Sequence, residues 1–465
     1  MAYADEVDEL VEKIIDSAIE FYLSSRGWSL NIQGNYEQEW GGGNVQITPP
    51  GKPERTSGGQ VIGPGFGSGY YDGFDYGAGP NAGSLVYGHF ETTVRDMFRA
   101  WRRLPEPEGF APYLEQFREA AWTISMTSSG DGVGDIGNPA LDDVRFLLKR
   151  IGNPDMGGRM ILTFDQNFCT PLPTVIHGQY AVVLLAGMTL CGEQEIWVKA
   201  REDVLTIARK TLEAMEDRGR KVADGLGTVT ALFAVAALFP TPVQPVLAGV
   251  AAALPALETL ANATSEPSKT EVEFAGGTPD KVLGTAADAL KKLADTIRAG
   301  EDEIKQKITD AMEAVTTRSG SFDMPKPQLL EETGIGGMEV DLKDLNFLAA
   351  ETLPKIARQF YVSSDALNGG AGCVHEWERP TEIGASDSAD GPRAAWAALV
   401  SLAEELVLDL AWEIKESAAH LEIASHRIGQ TEAEVVEALR RHAAKLHGSG
   451  QDPIGSATEW LNENR

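Results

Sequence analysis

The chain is 465 residues long, and since domains have roughly 150 residues each, this length predicts about three structural segments. Hydrophobic residues make up 43% of the chain, which is enough for a sizeable core. Its net charge of −29 repels phosphate groups, which excludes nucleic-acid binding. Three widely spaced cysteines, Cys169, Cys191 and Cys373, exclude a disulfide framework and a zinc knuckle, and we expect them to be buried thiols.

The spacing of hydrophobic residues predicts a first helix over residues 4–24. The apolar positions recur at three- and four-residue intervals, which places them on one face that can pack against a core. The segment is acidic, whereas a signal peptide begins with basic residues followed by an apolar stretch, so we expect no signal peptide. The apolar face comprises Val7, Leu10, Val11, Ile14, Ile15, Ala18, Ile19 and Tyr22.

Residues 27–88 are crowded with glycine, proline, tyrosine and asparagine, which cannot sustain a helix. We expect an irregular loop region with one short strand near residues 45–48. Two interpretations of the polar residues in this loop stay open. They form an enzyme site if the loop is ordered over a pocket, or they belong to an ordinary surface loop, where such residues are common. The residues concerned are Tyr70, Tyr71, Asp72 and Asp75.

Helical periodicity resumes after residue 90 and predicts two or three helices, followed by a long amphipathic helix within residues 153–224. One face of the long helix is apolar and most of its charged residues lie on the other, so we expect partner helices along its length. The apolar face comprises Trp197, Ala200, Val204, Ile207, Ala208, Leu212 and Met215.

No charged residue occurs between Asp224 and Glu258. Three prolines divide the stretch at 226–257 into two apolar arms, each shorter than the ~20 residues that cross a bilayer as a helix. Two interpretations stay open: a helical pair buried inside a bundle, and a membrane-inserting hairpin that is covered in the soluble state. The arms include Leu232, Phe233, Leu238, Phe239, Val246, Leu247 and Leu254.

A second long helix is predicted over residues 281–317, and a helical hairpin over residues 342–367 and 392–446 with a glycine-rich connection. Apolar residues at helical spacing predict that each element packs on its neighbours. These residues are Leu290, Leu293, Ile297, Ile304, Ile308 and Met312 in the long helix, and Trp396, Leu399, Leu402 and Leu406 in the hairpin.

The sequence contains only fragments of known catalytic patterns. The glycine cluster GPGFGSG lacks the flanking strand and helix of a dinucleotide site, and His375 with Glu376 lacks the second histidine of the zinc motif HExxH. Cys373 and His375 could act as nucleophile and base only if the fold pairs them. His420 and the histidines after it are expected on a solvated helix face. We therefore expect no catalytic residue, metal or cofactor.

The segment MGGRMILTFDQNF, residues 156–168, resembles the WXG family of type VII secretion substrates. That family places a Trp-x-Gly turn between two helices, followed by a pattern like FxxNF. Gly158, Phe164, Asn167 and Phe168 match this pattern, and Met156 stands in the place of the tryptophan. The long helix that follows resembles the second helix of actinobacterial members.

The C-terminal hairpin resembles the small excreted proteins of the same secretion systems, in which a helical hairpin ends near a YxxxD/E export signal. In the phrase IGQTE, Glu432 occupies the acidic position and Ile428 replaces the tyrosine. The resemblance implies helical hairpins, protein partners and no catalysis in the hairpin modules.

Together these patterns predict a mainly α protein, an elongated helical bundle built from long hairpins, with segments at 1–90, 91–330 and 331–465 and a glycine-rich irregular N-terminal region. We expect a type VII secretion-associated, non-catalytic protein, either exported by that route or cytoplasmic before export. Its expected partners are secretion machinery, a chaperone, a hetero-oligomer subunit or a second copy. The alternative is a pore-forming or membrane-inserting protein that contacts lipid through the 226–257 hairpin.

Overall fold

The computed structural model describes residues 2–32, 35–40, 43–47, 82–126, 137–151, 159–218, 222–226, 270–274, 277–324, 342–385, 388–427 and 453–463. Over these ranges the protein is mainly α-helical, which confirms the predicted fold class. The helices are α1 (Tyr3–Ser25), α2 (Ala82–Arg99), α3 (Ala111–Thr123), α4 (Asp142–Ile151), α5 (Arg159–Phe164), α6 (Leu172–Glu216), α7 (Pro279–Thr317), α8 (Leu342–Phe347), α9 (Leu353–Ala371), α10 (Arg393–Arg427) and α11 (Pro453–Glu463).

Short helical turns connect several of these helices. The π-helical turns Asp165–Cys169 and Leu348–Thr352 follow α5 and α8 and lead towards α6 and α9. The 3-10 turns are Trp101–Arg103, Pro107–Phe110, Pro139–Leu141, Ser319–Ser321, His375–Trp377 and Thr381–Ile383.

In the described part of the chain, two small antiparallel sheets accompany the helices. The first sheet contains β1 (Ser29–Leu30), β2 (Tyr36–Trp40) and β3 (Gly43–Ile47) in that order. In the second sheet, β4 (Val222–Leu226) pairs with β5 (Thr270–Phe274). The strand predicted near residues 45–48 is confirmed as β3, but the prediction that it stands alone was wrong, because β1 and β2 precede it. Two glycines separate β2 from β3 in the sequence, a hairpin signal that the overall glycine content obscured. Helix α2 also begins before the predicted loop ends.

Helix α6 lies at the centre of the described fold and packs against α1, α3, α7 and α10. Its first half is buried on all sides, because apolar residues there occupy every helical face. Among the described residues one helical run, Ile161–Glu216, is long and apolar enough to cross a membrane, and 94% of its most apolar part is buried inside the protein. Such burial is typical of a core helix.

Helix α1 packs on α6 and α2 through its predicted apolar face, which is buried throughout. Exposed ion pairs border the contact: Arg95 Nη2 of α2 lies 2.9 Å from Glu12 Oε2, and Arg209 of α6 pairs with Glu6. At the start of the helix, the hydroxyl of Tyr3 donates a hydrogen bond to the carbonyl of Trp101 at 2.9 Å. The helix is thus fixed to sequence segments that lie far downstream.

The C-terminal helices α9 and α10 pack along each other, and α9 also packs on α3. The predicted apolar residues of α7 and α10 are all buried, and those of α6 are buried except for the half-buried Leu212. Buried side chains of all three predicted segments form one continuous core.

Candidate functional site

The connection between α9 and α10, described at residues 372–385 and 388–392, is fixed to the neighbouring helix α7. Arg298 of α7 donates from Nε to the carbonyl of Ala385 at 3.1 Å and from Nη2 to the carbonyl of Gly384. Gly384 has φ +75°, a left-handed conformation that glycine adopts without strain. Within the connection, the Arg379 N–H donates to the carbonyl of Ala389 at 2.9 Å, which closes it into a loop.

The side chain of Arg379 extends from this loop to acidic residues on two helices. Its Nη2 donates to Glu301 Oε2 of α7 at 2.6 Å, and its Nη1 lies 3.9 Å from Glu193 Oε1 of α6. The side chains of all three residues are at most 1% exposed. We name Glu193, Glu301 and Arg379 the buried triad. Trp197 supports it, because its Nε1 donates to Glu193 Oε1 at 2.8 Å and its ring lies 5.5 Å from the guanidinium.

The buried triad contains two carboxyl groups and one guanidinium. Burial raises the pKa of Glu193, and the charge of Arg379 opposes that shift. Burial also raises the pKa of Glu301, and the neighbouring Glu193 adds to the rise. One guanidinium can neutralise one carboxylate, and a second unpaired charge in the core is costly. Burial in this site therefore favours the neutral, protonated form of one of the two carboxyl groups.

The backbone of Gly391 lies against the guanidinium and closes the triad from outside. A Cβ at this position would lie 2.3 Å from Arg379 Nη2, and Gly391 has φ +50°. A side chain here would displace the guanidinium, and the left-handed backbone conformation also favours glycine. The triad cannot be reached by a substrate in this conformation, since its side chains are shielded from solvent.

An aromatic cluster fixes the same connection to the core. Trp377 and Trp396 are buried with ring centroids 5.3 Å apart; Phe110 lies 6.0 Å from Trp377, and Phe117 lies 5.7 Å from Trp396. The Nε1 of Trp396 donates to the carbonyl of Ala186 in α6 at 2.9 Å. The connection is thus anchored by both ionic and aromatic side chains.

An open groove of about 530 Å³ lies on the outer side of the connection. Two of the arginines that line it are each paired with a carboxylate: Arg393 with Asp390 at 2.9 Å and Arg103 with Glu382 at 3.3 Å. Because these charges are matched, the groove presents no strong field of one sign. It is lined by Arg103, Val374, Glu378, Arg379, Pro380, Ala389, Asp390 and Arg393.

A second acidic group lies where α10 passes the end of α7. Asp409 and Glu413, one turn apart on α10, meet Asp323, and one oxygen of each carboxyl lies within 4.8 Å of the other two. Such oxygens are ligands that Mg²⁺ and Ca²⁺ accept. Burial, reinforced by the charges of Asp409 and Asp323, raises the pKa of Glu413 to about 9. A proton on Glu413 therefore reduces the repulsion among the three groups at neutral pH.

The structure places part of the WXG-like motif at a helix junction. Phe164 ends α5, and Asn167 and Phe168 lie in the π-helical turn before α6. The rings of the two phenylalanines stack with centroids 5.0 Å apart, and both are buried. Met156 and Gly158 lie outside the described residues, in the gap between α4 and α5.

Several other predicted site residues also lie outside the described part of the chain. They are Ile428 and Glu432 of the export signal, Tyr70, Tyr71, Asp72 and Asp75 of the N-terminal loop, and Leu232, Phe233, Leu238, Phe239, Val246, Leu247 and Leu254 of the apolar hairpin.

The structure does not bring Cys373 and His375 together as a nucleophile and base. Cys373 is buried and burial raises its thiol pKa, whereas the His375 side chain is 86% exposed and its Nδ1 lies 3.0 Å from Glu378 Oε1. All three cysteines are buried, as predicted. The prediction that His420 is solvated was wrong, because α10 packs against several helices and His420 is 6% exposed.

The buried triad was not predicted from the sequence, although two signals mark it. Glu193 is the first charged residue after a long uncharged run that begins at residue 166. Glu301 falls between Ile297 and Ile304 on the apolar face of α7, at helical spacing. An acidic residue on a core-facing position requires a partner. The sequence does not reveal that partner, because Arg379 lies in a distant loop.

Comparisons with known proteins leave the family unassigned: no family model, no curated protein and no solved structure matches this chain.

Proposed function

We propose that this protein is a type VII secretion-associated, non-catalytic helical protein, a substrate or accessory factor that acts through protein–protein contacts. The main support is the position of the FxxNF pattern. Phe164 and Phe168 lie at a junction that is preceded by α4 and followed by the long helix α6, the order in which the WXG family places its motif. The stacked rings give that junction a defined packing.

Exposed aromatic side chains beside this junction support a role in partner binding. Phe146 of α4 and Phe347 of α8 are 37% and 50% exposed, and their ring centroids lie 6.0 Å apart. The Arg150 guanidinium lies 5.3 Å from the Phe146 ring centroid and pairs with Asp344 at 2.6 Å. Aromatic and arginine side chains grouped on a surface are typical of contact sites between proteins.

Co-expression with a type VII secretion system tests the proposal. We expect the protein to appear in the culture medium, and Glu432→Ala to reduce its release because the acidic position of the export signal is lost. Glu434→Ala is the matched control, since it removes the same charge two residues away. Ile428→Tyr restores the signal pattern and should increase release.

For this comparison, the protein that remains inside the cells must be folded, and its amount must be the same for every variant. Phe347→Ser should also lower release, because it removes an exposed ring without disturbing the core. Release that requires neither the secretion system nor Glu432 would refute the export assignment.

A second candidate function is membrane insertion through the apolar stretch at 226–257. The supporting observation is the pairing of β4 with β5, in which Leu226 lies opposite Thr270. This pairing brings the two ends of the intervening stretch together, as an inserting hairpin requires. Its uncharged composition is compatible with a lipid environment.

Leakage from dye-loaded liposomes tests membrane insertion. Val235→Asp and Ala252→Asp should each abolish leakage, because a charge in the bilayer interior is costly. Ser265→Asp, outside the apolar stretch, should leave leakage unchanged. Wild-type protein that causes no leakage across a range of pH and lipid compositions would exclude this function.

A further inference from the structure

We propose that the buried triad holds a water molecule, which bridges the guanidinium of Arg379 to the carboxyl groups of Glu193 and Glu301. Each of these side chains is at most 1% exposed. Each also keeps one polar atom without a hydrogen-bond partner in the described part of the chain: Arg379 Nη1, Glu193 Oε2 and Glu301 Oε1. Buried polar atoms in folded proteins are nearly always bonded to protein groups or to ordered water. The triad therefore contains the polar partners that a water site needs.

The distances within the triad leave room for a bridging molecule on the side of Glu193. Arg379 Nη2 donates directly to Glu301 Oε2 at 2.6 Å, whereas Nη1 lies 3.9 Å from Glu193 Oε1. A direct hydrogen bond between such charged groups is about 2.7–2.9 Å long, so the second distance is too great for one. A water molecule that lies about 2.8 Å from each of the two atoms spans this distance. The contact with Glu193 thus has the spacing of a water-mediated pair.

The hydrogen-bonding needs of the three unpartnered atoms match those of water. Arg379 Nη1 is a donor, and the two carboxylate oxygens are acceptors. One water molecule accepts a hydrogen bond from the first atom and donates its two hydrogens to the others. It remains suitable when one carboxyl group is protonated, because it can accept from that O–H instead. Three hydrogen bonds are also the usual number for a buried water.

Other small ligands match the triad less well. A metal ion or an ammonium ion could bind the carboxylate oxygens, but neither can accept a hydrogen bond from Arg379 Nη1, and the guanidinium repels both. Chloride accepts from Nη1 but is repelled by the two acids. The ligand is therefore a neutral molecule that both donates and accepts, and the burial of the triad behind Gly391 restricts its size to that of water.

The water completes the attachment of the α9–α10 connection to two helices. The direct side-chain hydrogen bond of Arg379 goes to Glu301, which belongs to α7. Through the water, the same guanidinium is also hydrogen-bonded to Glu193 of α6, the helix at the centre of the fold. The connection is then held on both helices by directional bonds in addition to aromatic packing.

A crystal structure of the wild-type protein, at a resolution that shows ordered water, tests this site. We expect an electron-density peak within about 2.7–3.2 Å of Arg379 Nη1 and at the same distance from an oxygen of Glu193 and of Glu301. The crystals are also soaked in rubidium chloride, because rubidium is identified by its anomalous scattering and reports any cation that occupies the site.

Two substitutions of similar size at position 193 test whether the water depends on Glu193. In Glu193→Gln, the amide can still accept from Trp197 Nε1 and can bond to the water, so the peak should remain. In Glu193→Met, the side chain offers no strong hydrogen-bonding group, so the peak should be lost. Glu193→Gln is thus the matched control for the shape of the side chain.

Three results would overturn the proposal. The first is a wild-type structure in which Arg379 Nη1 bonds directly to a carboxyl oxygen and the triad shows no peak. The second is an anomalous rubidium signal in the triad, or a peak closer than about 2.6 Å to the carboxyl oxygens, either of which would assign a cation. The third is a peak that persists unchanged in the folded Met variant. If that variant does not fold, the wild type and Glu193→Gln still decide, since both must contain the peak.

Discussion

The backbone of Gly178 lies directly against the carbonyl oxygen of Ser321, where a Cβ on the glycine would be 1.9 Å from that oxygen. This contact brings the start of α6 onto the turn that follows α7. Beside it, Gln179 Nε2 donates to the carbonyl of Phe322 at 2.9 Å. A small residue is therefore required at position 178 by close backbone approach.

Gly178→Ala should lower the free energy of unfolding by about 1–3 kcal/mol, because the methyl group meets backbone that cannot move without repacking. Urea unfolding followed by circular dichroism measures the change. Gly284→Ala on α7 is the matched control, since a Cβ there meets no atom within 4 Å. That substitution should stabilise the helix by roughly 0.5–1 kcal/mol. Equal effects of the two substitutions would contradict this contact.

Glu413 should make the protein less stable as the pH rises. Its pKa is raised from 4.5 to about 9, so the folded state binds a proton that the unfolded state loses above pH 4.5. The contribution of Glu413 to the free energy of unfolding is fully present below pH 4.5. It falls between pH 4.5 and about pH 9, by about 1.4 kcal/mol per pH unit at most. Thermal unfolding between pH 6 and pH 9 should show a flatter dependence for Glu413→Gln. Glu202→Gln, at an exposed position, should retain the wild-type slope.

Trp396→Ala should destabilise the protein by about 3–5 kcal/mol, because it opens a large cavity between α6 and the α9–α10 hairpin. Trp396→Phe should cost less, since it removes the indole hydrogen bond but keeps an aromatic ring. Differential scanning calorimetry can rank the two variants. Trp122→Ala is the control: this residue is 39% exposed, and its loss should have a smaller effect. A larger effect at position 122 would be inconsistent with the described packing.

Asn138→Ala should loosen the junction of α3, α4 and α9. The Asn138 side chain donates to the carbonyl of Thr123 at 2.6 Å and to Gln359 Oε1 at 2.9 Å, and accepts from the Ala140 amide at 3.0 Å. Its loss leaves buried groups unpaired, at a cost of roughly 1–3 kcal/mol. Guanidinium unfolding should show this shift. Gln306→Ala, at an exposed position, is the control and should leave the unfolding curve almost unchanged. Similar curves for the two variants would disprove the role assigned to Asn138.

The sequence was informative wherever hydrophobic periodicity is long and regular. The predicted helices over residues 4–24 and 281–317 match α1 and α7 to within two residues at each end. Periodicity identifies faces because a helix repeats every 3.6 residues, so it also predicted which residues of α7 and α10 are buried. The short strands β1 and β2 carry too few residues for this signal.

The polar site was much less predictable. Glu193 and Glu301 could be recognised as acids on apolar faces, but pairing them with Arg379 requires knowledge of how three segments meet in space. The connection that carries Arg379 reads as loop chemistry, and its buried state depends on Gly391 and on the aromatic cluster. Long-range pairing of this kind has no local sequence signature.

The attachment of α1 to α6 affects how the chain can fold while it is being synthesised. Glu6 and its partner Arg209 are 203 residues apart, so the apolar face of α1 leaves the ribosome long before α6 exists. At about 5–20 residues per second, that interval lasts roughly 10–40 seconds. During this time the part of the α1 apolar face that α6 covers lacks its native partner, although α2 can already pack against the helix. Protecting the rest of that face from aggregation falls to chaperones or to temporary contacts with other early segments.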